Sequence, residues 1–547
     1  MGSLMDMYAK HGSLGHARLI FEKMKKRDVI AWNSLISGYA QCSHGEEAIR
    51  VFQRMQWEGF LPNEITFTSV LGASAGAGDA DLGRCLHANV TKCGYISDLF
   101  VGTALIDMYS KCSEMKDAER AFMLLVERNL VSFNALITGY GLMGRFEKAF
   151  QAYIQVQKIG MRPDQCTFTG VLSSCSLKSL DEGSQVHCHI IKLGFDSDIS
   201  VGNSLVSFYA KCNQTGSATT AFECIFKPNA VCWAGIISAF VQNNEGEKAL
   251  MCFKKMHAFS EMPDEFSLSA IFKASADVAA VEQGKHVHAL VIKIGLESAV
   301  FVGSALVDLY CKCGMVEDSV KMFIIMPQKN IASWNAIIVG LAQNGLCERS
   351  LKLFQEMVDI GFTPNSITFV GVLVACNHSR LVDEGKYYFN LMVSEYEISP
   401  TIEHYTCMVD LLGRIGYWNE AEVLLKNYFL SLEPVIWRSV IASCGIIGNK
   451  EVALRAFEQC LLLEPHNSGA YVLLSNLCAS EGLWPEVLKV RNSMKQMGIR
   501  KEPGFSWIEI KNKVHLFTAE QKSGFPVEMM TTLFTIHLEM RMHNNSW

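Results

Sequence analysis

The sequence predicts an all-α fold, a solenoid of stacked helical hairpins, and three observations carry that expectation. Long phrases return at a fixed interval. Phe100-Val101-Gly102-Thr103-Ala104-Leu105-Ile106-Asp107-Met108-Tyr109-Ser110-Lys111-Cys112 has counterparts at 200–212 and 301–313. Trp32-Asn33-Ser34-Leu35-Ile36 has counterparts at 133–137, 233–237 and 334–338, and Thr66-Phe67 at 167–168, 267–268 and 368–369. Each series recurs after 100 to 102 residues, so three kinds of unit, of about 35, 35 and 31 residues, make one super-repeat. Within a unit, apolar residues fall at helical spacing, as in Leu35, Ile36 and Tyr39, then Ala48, Ile49, Val51, Phe52 and Met55, with Gly45 between the two stripes. A hairpin of ~35 residues cannot bury both stripes alone, so neighbours must stack.

The units follow in order. Kind 1 spans 29–63, 130–164, 230–264 and 331–365. Kind 2 spans 64–98, 165–198, 265–299 and 366–401, and kind 3 spans 99–129, 199–229, 300–330 and 402–433. Gly59 and Pro62 end the second helix of the first unit, and the 31-residue units lose residues near that end, as at 122–129. Residues 2–28 match the later part of a kind 3 unit, which reads as a truncated start. After 434 the phrases change: 437–444 and 449–463 read as one helical hairpin, 464–469 as a turn, and 470–479 and 484–497 as another hairpin. A last amphipathic helix is expected at 528–540. The domains are thus a partial unit (1–28), twelve units (29–433), a region of different hairpins with its following segment (434–523), and a helix with tail (524–547).

Composition narrows the function. A chain with 49% hydrophobic and 19% charged residues buries enough apolar surface to fold. No run of about 18 apolar residues marks a membrane span. With 49 Lys and Arg against 55 Asp and Glu, the net charge is −6, so a nucleic-acid site must be a local stripe. The 19 cysteines contain no Cys-x-x-Cys pair, and Cys311-Lys312-Cys313 is too tight for zinc. They read as small buried residues in a reducing compartment. No phosphate loop appears. His187-Cys188-His189 and His286-Val287-His288 resemble ligand pairs, but His87, His187 and His288 share one place in successive kind 2 units and read as helix-interface residues. No catalytic, metal or cofactor residues are expected, and the chain does not read as an enzyme.

The unit order and the phrases 32–36, 107–112 and 361–365 resemble the plant PLS-class pentatricopeptide repeat (PPR) family, kinds 1, 2 and 3 being its P, L and S units. Residues 434–523 resemble that family's E domain, with hairpins of tetratricopeptide character. The resemblance implies a right-handed superhelix that binds single-stranded RNA, one base per unit. In it, the base is read by the unit's fifth and last residues. Here those pairs are Asn33/Asn63, Thr103/Asn129, Asn134/Asp164, Asn203/Asn229, Ser304/Asn330 and Asn335/Asn365, with Ala234/Asp264 unselective and Thr406 lacking a clear partner. Residues at unit ends could be ordinary caps, but Asn and Thr inside a helix are disfavoured there. The family's pairing rule gives Y-n-A-U-n-Y-n-n-A-Y from 5′ to 3′, followed by five unread positions and an edited C.

Lys10, Lys111, Lys211, Lys312 and Arg414 share the thirteenth place of the kind 3 units and are candidate phosphate contacts. A helix C-terminus would also favour them. The family's DYW deaminase needs His-x-Glu with Cys-x-x-Cys. Residues 44–46 and 537–539 are the His-x-Glu tripeptides here, and neither has such cysteines. The resemblance therefore implies an E-subclass C-to-U editing factor, without its own deaminase, that recruits one or other editing factors through the E domain. It implies a monomer in a mitochondrion or chloroplast, the mitochondrion preferred, with no transit peptide in this sequence. The rival expectation is a tetratricopeptide-like protein-binding scaffold.

Overall fold

The computed structural model describes residues 2–24, 26–42, 44–259, 261–425, 433–447, 449–499, 501, 505–510, 513–518 and 535. Two compact bodies divide the chain: Met1–Asn243 with Ala258–Glu261, and Asn244–His257 with Met262–Trp547. In each body, helices alternate between a first (A) and a second (B) helix of a hairpin.

In the first body the A helices are Gly2–Lys10, Val29–Gln41, Glu64–Ala77, Leu99–Lys111, Leu130–Leu142, Gln165–Ser174, Ile199–Lys211 and Ala230–Gln242. In the second they are Glu265–Asp277, Val300–Lys312, Ile331–Gln343, Ser366–Ser379 and Ile402–Ile415. Every A helix from Val29 onward starts at the first residue of a unit. Kind 1 B helices run 13 residues, as in Phe146–Lys158, whereas the kind 3 helix Met115–Leu124 runs 10. Within a body successive A helices pack on one another, and those from Gly2–Lys10 to Ile199–Lys211 and from Glu265–Asp277 to Ile402–Ile415 pack on their own B helices.

Small residues set how closely the A helices approach. A Cβ at Gly38 would lie 2.7 Å from the Ala9 Cβ, and one at Gly139 or Gly340 would run into the side chain of Ser110 or Cys311. Beside them, the fourth residue of each kind 1 unit fills the core. Trp32, Phe133, Trp233 and Trp334 meet Phe21, Phe122, Phe222 and Phe323 edge-on, with centroids 4.6 to 4.9 Å apart. The indole N–H of all three tryptophans is buried without a hydrogen-bond partner. The aromatic ring is what this place needs, since Phe133 serves equally.

The kind 2 histidines lie at a helix interface, as expected. Nδ1 of His87, His187 and His288 sits 2.8 to 2.9 Å from the hydroxyl of Tyr109, Tyr209 and Tyr310 on the next A helix. Cysteine burial is mixed. Ten of the free thiols are buried, but Cys85, Cys93, Cys166, Cys188 and Cys224 are exposed on the solvent faces or ends of their helices.

Beyond the units, Pro434–Ile447, Lys450–Leu463, Ser468–Ser480 and Trp484–Gln496 form two hairpins. They share a core of Ile436, Val440, Ile441, Leu474, Leu477 and Val487. An antiparallel strand pair then joins Phe505–Ile510 to Lys513–Thr518, with Phe505 opposite Thr518 and Ile510 opposite Lys513. Helical periodicity did not anticipate it. The expected helix at 528–540 lies outside the described residues except at Thr535.

Burial lowers the pKa of His87, His187, His189, His288 and His404. The unfolded chain binds protons to them more readily, near the usual value of about 6.5. Stability is therefore complete above that pH and falls as pH drops below it, toward the lowered folded values. Thermal denaturation between pH 7.5 and 5 is expected to show a falling midpoint, with a shallower fall in His187→Gln. A midpoint independent of pH over this range would contradict the assignment.

Candidate nucleic-acid interface

Each unit's last residue stands immediately before the next A helix, where the first backbone N–H groups lack intrahelical partners. The side-chain oxygens of Asn63, Asn129, Asp164, Asn229, Asp264, Asn330 and Asn365 accept the backbone N–H of the following unit's third residue at 2.8 to 3.1 Å. The capping role that sequence reasoning set as the alternative is thus real for all seven.

At three of the four kind 1 units the fifth residue joins that cap, the fourth carrying Ala234. Asn33 Nδ2 donates to Asn63 Oδ1 at 2.9 Å, Asn134 Nδ2 to Asp164 Oδ1 at 2.9 Å, and Asn335 Nδ2 to Asn365 Oδ1 at 3.0 Å. Residues 30 apart in sequence are in direct contact, so these pairs are brought together. The fifth-place asparagines are buried, and the last residues half-buried. Sequence reasoning missed this second, structural use of the buried amide.

Kind 3 units differ. The hydroxyls of Thr103, Ser304 and Thr406 donate to the carbonyls of Leu99, Val300 and Ile402, four residues back, at 2.7 Å. Ser304 Oγ also lies 3.5 Å from Asn330 Oδ1. Asn203 Oδ1 is buried without a partner.

In the first body these side chains line an open cavity of about 820 Å³, formed along four successive A helices. Thr103, Asn129, Asn134 and Asp164 border it, together with Ile65, Phe100, Val131 and Cys166. Those last four are the second residues of consecutive units. Large apolar side chains at this place are exposed throughout: Ile30, Ile65, Phe100, Val131, Val231, Phe266, Phe301 and Ile367. Sequence reasoning overlooked this row. Its signal was present, because the second and fifth residues are three apart and share a helix face.

The thirteenth-place cations do not form a free basic stripe. Lys111 pairs with Asp107 at 2.7 Å, Lys312 with Asp308 at 3.1 Å and Asp277 at 3.5 Å, and Arg414 with Asp410 at 2.8 Å. Burial works against the charge of Lys312, but the two carboxylates more than offset it, and its pKa rises. Lys211 donates to the Ser173 carbonyl at 3.3 Å. The side chain of Lys10 lies outside the described residues. A carboxylate four residues back, readable in the sequence, explains three of these pairings. Among the described residues no three of His, Cys, Asp and Glu could hold a metal ion, and no helix is long and apolar enough to cross a membrane.

Comparison with known sequences decides the family. Residues 27–75, 128–176 and 329–378 match the PPR repeat family. Residues 1–29, 103–130, 231–260, 304–331 and 403–427 match the PPR repeat, and 447–509 the E motif. The pentatricopeptide repeat-containing protein At4g14850 of Arabidopsis thaliana is 39% identical over 98% of the chain and 79% of its own length. The chain belongs to the pentatricopeptide repeat family. Another Arabidopsis PPR protein, At4g33170, is 39% identical over 96% of the chain, which spans only 53% of that relative. Among solved structures, PPR10 in complex with an 18-nt psaJ RNA element aligns over 91% of the chain and 78% of PPR10. The TM-score is 0.56 at 15% identity, and a triply substituted PPR10 in a similar complex gives 0.58 at 14%. That likeness is one of fold.

Removing a cap should loosen the PPR hairpin that follows it. Asn365→Ala is expected to cost about 1–2 kcal/mol in urea denaturation, because a helix cap and the partner of Asn335 are lost together. Asn365→Asp, which keeps an accepting oxygen, should be near neutral. Equal losses in both would contradict the capping role.

Proposed function

We propose that the chain is a sequence-specific single-stranded RNA binder of the PLS class, E subclass, that selects organellar sites for C-to-U editing. The observation that carries the reading is the open cavity where two fifth-and-last pairs meet an exposed apolar row. Aromatic and apolar side chains beside a polar edge suit unstacked bases: the second-place residues pack on base faces and the pairs meet base edges.

The caps leave a chemical choice at each unit. One oxygen of the last residue is committed to the helix. What remains on Asn63 and Asn365 is an amide N–H donor, and on Asp164 a carboxylate acceptor. Uracil offers an N3–H to an acceptor, whereas cytosine presents a bare N3 to a donor. Asn134/Asp164 thus selects U, and the Asn/Asn pairs accept C or U. The pairs Thr103/Asn129 and Ser304/Asn330 select A by the family's rule. PPR10, similar in fold, is solved in complex with an RNA element, which agrees with this reading.

Lys111, Lys312 and Arg414 approach phosphates already ion-paired, so affinity depends weakly on salt for an RNA binder. Residues 434–523, which contain the E motif match at 447–509, recruit a DYW-type deaminase or other editing factors. The chain acts as a monomer in a mitochondrion or chloroplast.

Selection of the purified chain on random single-stranded RNA is expected to enrich Y-n-A-U-n-Y-n-n-A-Y, and Asn134→Ala should erase the preference for U. A folded chain that enriches no RNA sequence would favour a protein-binding scaffold instead.

A further inference from the structure

The fifth-place asparagines are not held alike. Oδ1 of Asn33, Asn134 and Asn335 lies 2.6 to 2.7 Å from the hydroxyl of Thr66, Thr167 and Thr368, the third residue of the following unit. The same hydroxyl is 2.8 to 3.1 Å from Oδ1 of the last residue. That second oxygen already accepts the threonine backbone N–H and the asparagine Nδ2, which occupy its two in-plane lone pairs. The hydroxyl proton therefore goes to the asparagine. Turning the amide over would set its oxygen against the last residue's oxygen and take the asparagine acceptor away from the hydroxyl. Threonine thus fixes which end of the amide faces the cavity.

Asn203 has no such neighbour. The third residue after its unit is Cys232, whose Sγ lies 3.1 Å from Asn229 Oδ1, and Asn203 Oδ1 is orphaned. Asn203/Asn229 has the same chemistry as Asn33/Asn63 and Asn335/Asn365 but, in a kind 3 unit, lacks both the threonine hydroxyl and the Nδ2-to-Oδ1 bond that the kind 1 pairs make.

We propose that the third residue of the following unit is a positioning residue for base selection, its hydroxyl orienting the preceding fifth-place amide. Thr66, Thr167 and Thr368 sharpen the choice made by their pairs, and Cys232 leaves Asn203/Asn229 permissive. This rests on the base-reading role proposed above.

The test measures binding of the whole chain to sets of four RNAs that differ only at the nucleotide facing one pair. At Asn134/Asp164 the wild type is expected to prefer its base about tenfold, the scale of one well-made base contact. Thr167→Val should cut this to about twofold, and Thr167→Ser should restore it. Ser267 caps Asp264 in the same way, with Ser267 N 2.8 Å from Oδ1, but the unit before it carries Ala234 in the fifth place. Ser267→Val should leave every base preference unchanged, which separates a lost lock from a loosened cap. Cys232→Thr supplies the missing hydroxyl and should raise discrimination at Asn203/Asn229 from about twofold to about tenfold. Unaltered preferences in both Thr167→Val and Cys232→Thr would overturn the lock while leaving base reading intact. A wild type that binds all four RNAs equally at every pair would overturn base reading, and the lock with it.

Discussion

The arrangement depends on one hydrogen bond repeated along the chain: where a unit ends in Asn or Asp, that side-chain oxygen accepts a backbone N–H from the next helix. A buried helix N-terminus left uncapped costs stability, so an Asn or Asp is favoured there whatever the protein binds. Once that oxygen is committed, the rest of the side chain has a fixed direction. At kind 1 units with a fifth-place asparagine it receives that amide, as between Asn33 and Asn63 at 2.9 Å, so one helix start and one proposed base-reading pair share a single geometry. The proposed base-reading role of these residues thus rests on the geometry their capping role sets.

Helix packing repeats this geometry. Gly38, Gly139 and Gly340 leave no room for a Cβ against Ala9, Ser110 and Cys311, which holds successive A helices close. Helices with small residues at the contact approach to the short end of the usual 8–10 Å range. The exposed second-place residues then fall in a row, once per unit. A surface of single apolar side chains between polar pairs suits a ligand with flat faces and hydrogen-bonding edges better than a continuous apolar partner.

Much of this was legible in the sequence. The repeat phrases located the hairpins up to residue 425, and the A helices begin where the units begin, because the Asn and Asp at most unit ends are start signals for a helix. The pairing of fifth and last residues followed from the family resemblance, and their contact from the fold. Three things were not legible. Burial of Asn33, Asn134 and Asn335 depends on the neighbouring helix, which no single unit encodes. The ion pairing of Lys111, Lys312 and Arg414 rests on Asp107, Asp308 and Asp410, one turn away, which the row of cations alone does not display. The strand pair 505–510 and 513–518 carries neither strict alternation nor a Gly-containing turn, the signals that mark a hairpin.

The central claim is that one residue caps a helix with one atom and selects a base with the other. Asp164→Asn separates the two, since it keeps the capping oxygen and exchanges a free acceptor for a free donor. Base preference at that nucleotide and the denaturation midpoint should be measured on the same preparation. The account predicts an unchanged midpoint, with the preference moving from U alone to C or U. A variant that still selects U alone, or that changes base only by losing stability, would contradict it.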